Sequence, residues 1–170
     1  RVVKIPKKID PVPAALLGCA ICTGMGMVDS LGDIKGKKVA VFGVGGVGAA
    51  ALMRAKSLGA ICTAVDIRDW KLRYARGVLK VDDTANPNRD RLEDFDVAIE
   101  SSGSKVAMDK AFESINYNGV AIIAGNIIPG QKVYVDPYDL MKGKTIRGSW
   151  GGGVHPDKAI PFYADLHLKG

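Results

Sequence analysis

Two closely spaced cysteines carry the most reactive side chains of the sequence. Cys19 and Cys22 form a Cys-x-x-Cys pair, the spacing of redox-active pairs and of half a zinc site. The third cysteine, Cys62, lies in an apolar stretch, and His155 and His167 stand far along the chain. These parts do not supply an obvious closed four-ligand zinc site. Spacing alone therefore favours buried structural thiols.

A glycine-rich stretch offers a second chemistry, the binding of phosphate groups. Gly43, Gly45 and Gly48 follow an apolar run at 39–42 with the spacing G-x-G-x-x-G. In such a motif the first glycine permits a tight turn, the second lets backbone approach a pyrophosphate, and the third lets a helix pack closely. The predicted helix at 49–59 would present free N–H groups and a partial positive charge to the phosphates.

An acidic residue stands where this motif needs one. Asp66 ends a second apolar run at 61–65, and an acid about 20 residues after the glycines binds the adenosine ribose hydroxyls in dinucleotide-binding proteins. Because the glycines lie between a strand and a helix, we predict a dinucleotide-binding turn. The alternative is a glycine-rich turn of an α/β domain that binds nothing.

The elements that must position these residues alternate along the chain. Strands are predicted at 39–42, 61–65, 81–84, 95–99, 120–124 and 145–148. Helices are predicted at 14–28, 49–59, 70–76, 106–115, 136–141 and 155–168, with glycines that should break the first or allow close packing. This alternation predicts a parallel six-stranded sheet with right-handed crossovers, the doubly wound Rossmann fold of order 3-2-1-4-5-6.

In such a sheet the ligand binds at the carboxyl ends of the strands. Those ends carry the glycine turn, Asp66, residues 101–103, and Gly125 with Asn126. We expect these short polar or glycine-rich ends to converge on one crevice.

Composition limits the remaining classes of function. The 170 residues are 47% hydrophobic with a formal charge of +6, which fits one globular domain with a bias toward anionic ligands. No basic stripe with interleaved aromatics indicates nucleic-acid binding. No apolar run approaches the ~20 residues of a membrane span, so no membrane contact is expected. Three cysteines without a paired framework indicate a reducing compartment, and we expect a cytoplasmic protein.

The stretch 14–24, placed just before the first strand and the glycine turn, resembles the zinc-dependent alcohol dehydrogenases of the medium-chain dehydrogenase/reductase superfamily. The resemblance extends from about residue 9 to residue 170 and includes residues 65–67, 101–103, Gly125 and 148–152. It implies a parent enzyme that transfers hydride between a small alcohol, or an aldehyde or ketone, and a nicotinamide cofactor. Zinc would act there as a Lewis acid.

The resemblance also implies roles for single residues. Cys19 corresponds to a catalytic-zinc cysteine, and Thr23 to a catalytic residue beside the nicotinamide, whereas Cys22 matches no ligand of the family. The implied cofactor-binding residues are Thr23, Gly43, Val44, Gly45, Gly46, Val47, Gly48, Asp66, Ile67, Arg68, Lys71, Ser102, Gly103, Ala124, Gly125, Asn126, Ser149, Trp150 and Gly151. Asp66 favours NAD over NADP, because a carboxylate repels a 2′-phosphate, although Arg68 could accept one.

The sequence departs from the family because the family's catalytic domain, a chaperonin-10-like barrel, is absent. Residues 1–13 are therefore interpreted as a connecting segment from a missing catalytic domain, and residues 14–170 as the dinucleotide-binding domain. We expect zinc only in the full-length parent, and cofactor binding without turnover in this chain. In the family the sheet edge forms a homodimer, so residues 131–135, a stretch expected to be β-rich, and the sixth strand are expected to associate. The alternative is a stand-alone module that senses or stores dinucleotide.

Overall fold

A parallel sheet of six strands lies at the centre of the computed structural model, which describes residues 2–169. The strands are β1 Lys38–Phe42, β2 Ile61–Val65, β3 Asp83–Ala85, β4 Phe95–Glu100, β5 Ile115–Ile123 and β6 Thr145–Gly148. Their order is β3-β2-β1-β4-β5-β6, and every neighbouring pair is parallel. The predicted Rossmann topology is confirmed. Arg1 and Gly170, the outer ends of the two predicted segments, lie outside the described residues.

Helices cover both faces of this sheet. They are α1 Pro11–Leu16, α2 Cys22–Asp29, α3 Gly46–Ser57, α4 Asp69–Tyr74, α5 Lys105–Glu113, α6 Pro137–Met141 and α7 Pro156–Lys169. A π-helical turn, Leu17–Ile21, joins α1 to α2, a second, Ala75–Leu79, follows α4, and a 3₁₀ turn, Gly151–Gly153, precedes α7.

Strand β1 shows why the sheet is buried on both faces. Val39 and Val41 pack in one cluster with Leu52 of α3. Ala40 and Phe42 point to the other face and pack in a cluster with Phe112 of α5. Because side chains alternate along a strand, a continuous apolar run requires cover on both sides, as parallel sheets have.

Several details of the predicted elements were wrong. The first helix begins at Pro11 rather than residue 14, because the Asp10 carboxylate accepts a hydrogen bond from Val12 N at 2.8 Å and caps it. Ile115, assigned to a helix, begins β5, since it pairs with Phe95 of β4. Residues 131–135, expected to be β-rich, contain no regular element.

Within residues 2–169, one helical run could cross a membrane by length and composition. It is Pro11–Asp29, with a mean hydropathy of 1.6 and 33% of its window buried. The expectation of no apolar run near that length was therefore wrong. Buried helices of globular proteins meet the same criteria, so the run is weak support for a span, and the absence of membrane contact stays a prediction.

Candidate nucleotide-binding site

The turn between β1 and α3 is built by glycines, and two of them, Gly43 and Gly48, leave no room for a side chain. Gly43 has φ of 92° and its N–H donates to Val65 O at 2.8 Å. A Cβ on Gly48 would lie 1.9 Å from Gly43 O, so the helix packs directly on the turn. A Cβ on Gly45 would meet nothing within 4 Å, and this residue is the N-cap of α3. The first N–H groups of α3 are therefore free of a side-chain cap and available to an anion.

Asp66 ties the end of β2 to this turn. The residue is only 8% exposed, and its Oδ2 accepts a hydrogen bond from Val44 N at 2.8 Å. Its Oδ1 accepts from Arg68 N at 3.0 Å, and Lys71 Nζ lies 3.3 Å from Oδ2. Backbone donors and one lysine thus fix the carboxylate beside the glycine turn, while Ile67 and Arg68 are exposed next to it.

The end of β4 contributes a buried carboxylate that the sequence analysis missed. Glu100 is 0% exposed, and its Oε1 accepts from Ser102 N at 2.7 Å, Ser102 Oγ at 2.5 Å and Gly103 N at 3.0 Å. Burial raises the pKa of Glu100 above its usual value, and the hydrogen bonds from Ser102 and Gly103 oppose that rise. Ser101 Oγ donates to Gly43 O at 2.9 Å, which joins this loop to the turn. The one available signal was a charged residue ending an apolar strand.

The loop after β5 closes against the loop after β4. A Cβ on Gly125 would lie 2.1 Å from Gly103 N, and a Cβ on Gly103 would lie 2.1 Å from Asn126 O. Ala124 N and Gly125 N both donate to the backbone oxygen of Glu100, at 2.9 and 3.2 Å. The expected convergence of the strand ends is therefore present.

These ends border a cleft of about 720 Å³. Among the predicted site residues it is lined by Gly43, Gly45, Asp66, Ile67, Arg68, Lys71 and Ser102. Ser101, expected at the crevice with residues 102–103, lines it as well. Its lining also includes residues that sequence reasoning missed: Pro87, Asn88, Ser104, Val106, Ala107 and Lys110. They carry no motif spacing, because residues 87–88 and α5 reach the cleft only through the crossovers. Arg68, Lys71 and Lys110 make the cleft basic, which suits an anionic ligand.

A second group of predicted residues lies around α2, outside that lining. A Cβ on Gly24 would meet Val47 O at 2.3 Å, so α2 touches the start of α3 directly. A Cβ on Gly152 would meet Thr23 Cα at 3.0 Å, so the 3₁₀ turn rests on Thr23. The glycines of this helix thus serve close packing and do not break it. Trp150, next to that turn, is 92% exposed.

The cysteines do not form a metal centre by themselves. Cys19 is exposed and Cys22 is buried, and burial raises the pKa of Cys22, with Cys19 raising it further. Cys62 lies buried in β2, where burial raises its pKa to about 12. Among residues 2–169, no group of three His, Cys, Asp or Glu side chains is placed to hold a metal ion. A catalytic zinc needs about three protein ligands, so the described residues do not fit one.

Comparison with known proteins identifies the family. The family profile of the zinc-binding dehydrogenases matches residues 46–165. This chain belongs to the zinc-binding dehydrogenase family. It is 31% identical to an alcohol dehydrogenase of Geobacillus stearothermophilus over 157 residues, which cover 87% of this chain and 45% of the relative.

Solved structures of zinc-binding dehydrogenases share the fold in detail. An alcohol dehydrogenase zinc-binding domain protein of Burkholderia ambifaria superposes with a TM-score of 0.92 at 31% identity, covering 99% of this chain and 48% of that one. A zinc-binding dehydrogenase of Sinorhizobium meliloti, solved with NADP bound, superposes with a TM-score of 0.86 at 25% identity. The match covers 98% of this chain and 51% of that one. The chain spans about half the length of the curated relatives it matches.

Proposed function

We propose that this chain is the NAD-binding domain of a zinc-dependent alcohol dehydrogenase. The observation that carries the proposal is the basic cleft at the carboxyl ends of the strands, bordered by Gly43, Gly45 and Asp66. Its volume of about 720 Å³ lies within the range of small-molecule and cofactor sites. When bound, NAD supplies the nicotinamide ring that exchanges hydride with a small alcohol, aldehyde or ketone in the parent enzyme.

Each part of the cleft suits one part of a dinucleotide. The uncapped start of α3 and the space at Gly45 suit the pyrophosphate, since N–H groups and a helix dipole favour anions. Asp66 suits the adenosine ribose, because its carboxylate accepts hydrogen bonds from hydroxyl groups. Thr23, with Ser149, Trp150 and Gly151, is assigned to the nicotinamide end, on the family resemblance.

The same geometry favours NAD over NADP. A 2′-phosphate on the ribose would bring negative charge against the Asp66 carboxylate. This carboxylate is buried and cannot turn away without losing its hydrogen bonds from Val44 N and Arg68 N. Arg68, exposed beside it, is the residue that could accept such a phosphate. One structural relative binds NADP, so both cofactors belong in the test.

We further propose that the chain binds cofactor without turnover and that zinc belongs to the full-length parent. Cys19 is the one residue assigned to zinc, and no three-ligand group accompanies it within residues 2–169. We also propose a cytoplasmic homodimer that pairs through the exposed edge strand β6.

Fluorescence titration of the 170-residue chain with NADH and with NADPH tests the cofactor assignment. We expect NADH to bind at least about tenfold tighter, because a repulsion of only about 1.4 kcal/mol between the 2′-phosphate and Asp66 changes affinity by that factor. Arg68→Ala should leave NADH affinity nearly unchanged. Tighter binding of NADPH that Arg68→Ala abolishes would refute the NAD assignment, and no binding of either cofactor would refute the proposed function.

A further inference from the structure

We propose that Glu100 is a positioning residue for cofactor binding: its carboxylate holds the loops after β4 and β5 against the glycine turn. The inference rests on the proposed function, since it concerns the same cleft. Glu100 is neither part of the glycine motif nor among the residues that line the cleft.

One oxygen of Glu100 organises the loop that follows it. Oε1 accepts all three hydrogen bonds, from the Ser102 N–H, the Ser102 hydroxyl and the Gly103 N–H. Three donors converge on one buried acceptor, so the backbone of residues 102–103 can take few other conformations. Without this acceptor the two N–H groups would lie beside a buried cavity and lack a partner.

The other oxygen faces the neighbouring loop. Oε2 is buried and makes no hydrogen bond, and a Cβ on Gly125 would lie 2.5 Å from it. The carboxylate is therefore enclosed between the loop after β4 and the loop after β5. A side chain at residue 125 or a larger group at residue 100 would push the two loops apart.

The ordered loop in turn supports the glycine turn. A Cβ on Gly43 would lie 2.8 Å from Ser102 Cβ and 2.9 Å from Ser102 N, so the two backbones touch. Ser101 Oγ, in the same loop, donates to Phe42 O and Gly43 O. Displacement of residues 101–103 would thus move Gly43, whose position sets where a pyrophosphate binds. Glu100 acts on the cofactor through these neighbours and does not touch it.

Substitutions separate the reach of the acceptor from its charge. Glu100→Gln keeps an amide oxygen at the Oε1 position, and its nitrogen replaces an oxygen that makes no hydrogen bond. Glu100→Asp keeps the charge but withdraws the acceptor by one methylene. Glu100→Leu removes the acceptor and keeps a similar volume. Val97→Ala is the control, because it removes buried volume from the same strand, three residues before Glu100, and leaves the Glu100 carboxylate in place.

The experiment combines NADH titration with amide hydrogen exchange of Ser102 and Gly103. We expect Glu100→Leu and Glu100→Asp to raise the Kd for NADH about tenfold or more and to speed exchange of both amides. We expect Glu100→Gln to stay within about threefold of the wild type, and Val97→Ala to lower stability with an unchanged Kd.

The outcomes keep the two proposals apart. Wild-type affinity in Glu100→Asp, or in a folded Glu100→Leu, would overturn the positioning role while the proposed function stands. Equal losses in Glu100→Gln and Glu100→Leu would overturn it as well, because charge rather than acceptor position would then matter. If Glu100→Leu fails to fold, the aspartate and glutamine variants decide between reach and charge. Failure of the wild-type chain to bind NADH or NADPH would overturn both proposals.

Discussion

Replacement of Gly45 by valine should separate cofactor binding from folding. A Cβ at this position meets nothing within 4 Å, and φ of −101° suits any residue. At an N-cap, valine is less favourable than glycine. Replacing glycine also reduces the conformational entropy of the unfolded chain, which stabilises the folded state by about 0.4–1 kcal/mol. These effects oppose each other, so the free energy of unfolding should change by less than about 1 kcal/mol.

Cofactor binding should respond much more strongly to Gly45→Val. The branched side chain would fill the space through which a pyrophosphate reaches the N–H groups that start α3. A hydrogen bond to a charged group contributes about 1.5–3 kcal/mol. Loss of one such bond therefore weakens binding about tenfold or more.

Gly48→Ala is the comparison variant, because it should lower the stability that Gly45→Val leaves nearly unchanged. Its Cβ would lie 1.9 Å from Gly43 O and 2.8 Å from Ser101 Oγ, so the turn must shift. Overpacking of this kind costs about 1–3 kcal/mol of stability. NADH titration and urea unfolding of both variants provide the measurement. Unchanged NADH affinity in Gly45→Val, with a fold that remains intact, would refute phosphate binding at this loop.

The remaining predictions concern stability, association and turnover. The Tyr163 hydroxyl donates to Asp29 Oδ2 at 2.7 Å, and burial, then Asp29, raises the pKa of Tyr163. Because the folded state favours the neutral hydroxyl, this stabilisation is complete below tyrosine's usual pKa of about 10 and is lost progressively as pH rises from there through the raised pKa of the folded state. Tyr163→Phe should lower the free energy of unfolding by about 1 kcal/mol at neutral pH and reduce the loss of stability above pH ~10. Urea unfolding across pH measures both effects. Equal losses of stability at alkaline pH in the wild type and the variant would contradict this prediction. Light scattering should give a dimer mass, and a monomer at high protein concentration would contradict pairing through β6. With zinc, NAD and primary, secondary or benzylic alcohols, the chain should produce no NADH, and production that Cys19→Ser abolishes would show a working site within it.

The sheet was predictable because its signals are local. The apolar runs of β1 and β2 and the glycines between them specify a strand, a turn and a helix within a short window. Asp66 was found for the same reason, since its distance from the glycines is part of the motif. The cleft residues that the motif predicted are those that line the side of the cleft formed by the ends of β1 and β2.

The other wall of the cleft could not be predicted in the same way. Asn88 and Lys110 have no fixed spacing from the glycines, and the fold brings them together only once β4 and α5 are in place. The early start of β5 at Ile115 depends on pairing with Phe95, which local helical spacing cannot reveal. Glu100 was missed because carboxylates are rarely fully buried, and nothing in its place at a strand end marked it as an exception.

Taken together, the contacts hold the glycine turn from both sides. Strands β2 and β4 flank β1, and a buried carboxylate that accepts hydrogen bonds from loop N–H groups lies just after β2 and at the end of β4. Asp66 holds Val44 on one side, and on the other Glu100 holds Ser102, whose backbone touches Gly43. A turn fixed before the ligand arrives loses little conformational entropy on binding, so more of the contact energy remains as affinity. The two carboxylates should therefore act on the same quantity, the order of residues 43–45, and their substitutions should be less than additive in NADH affinity.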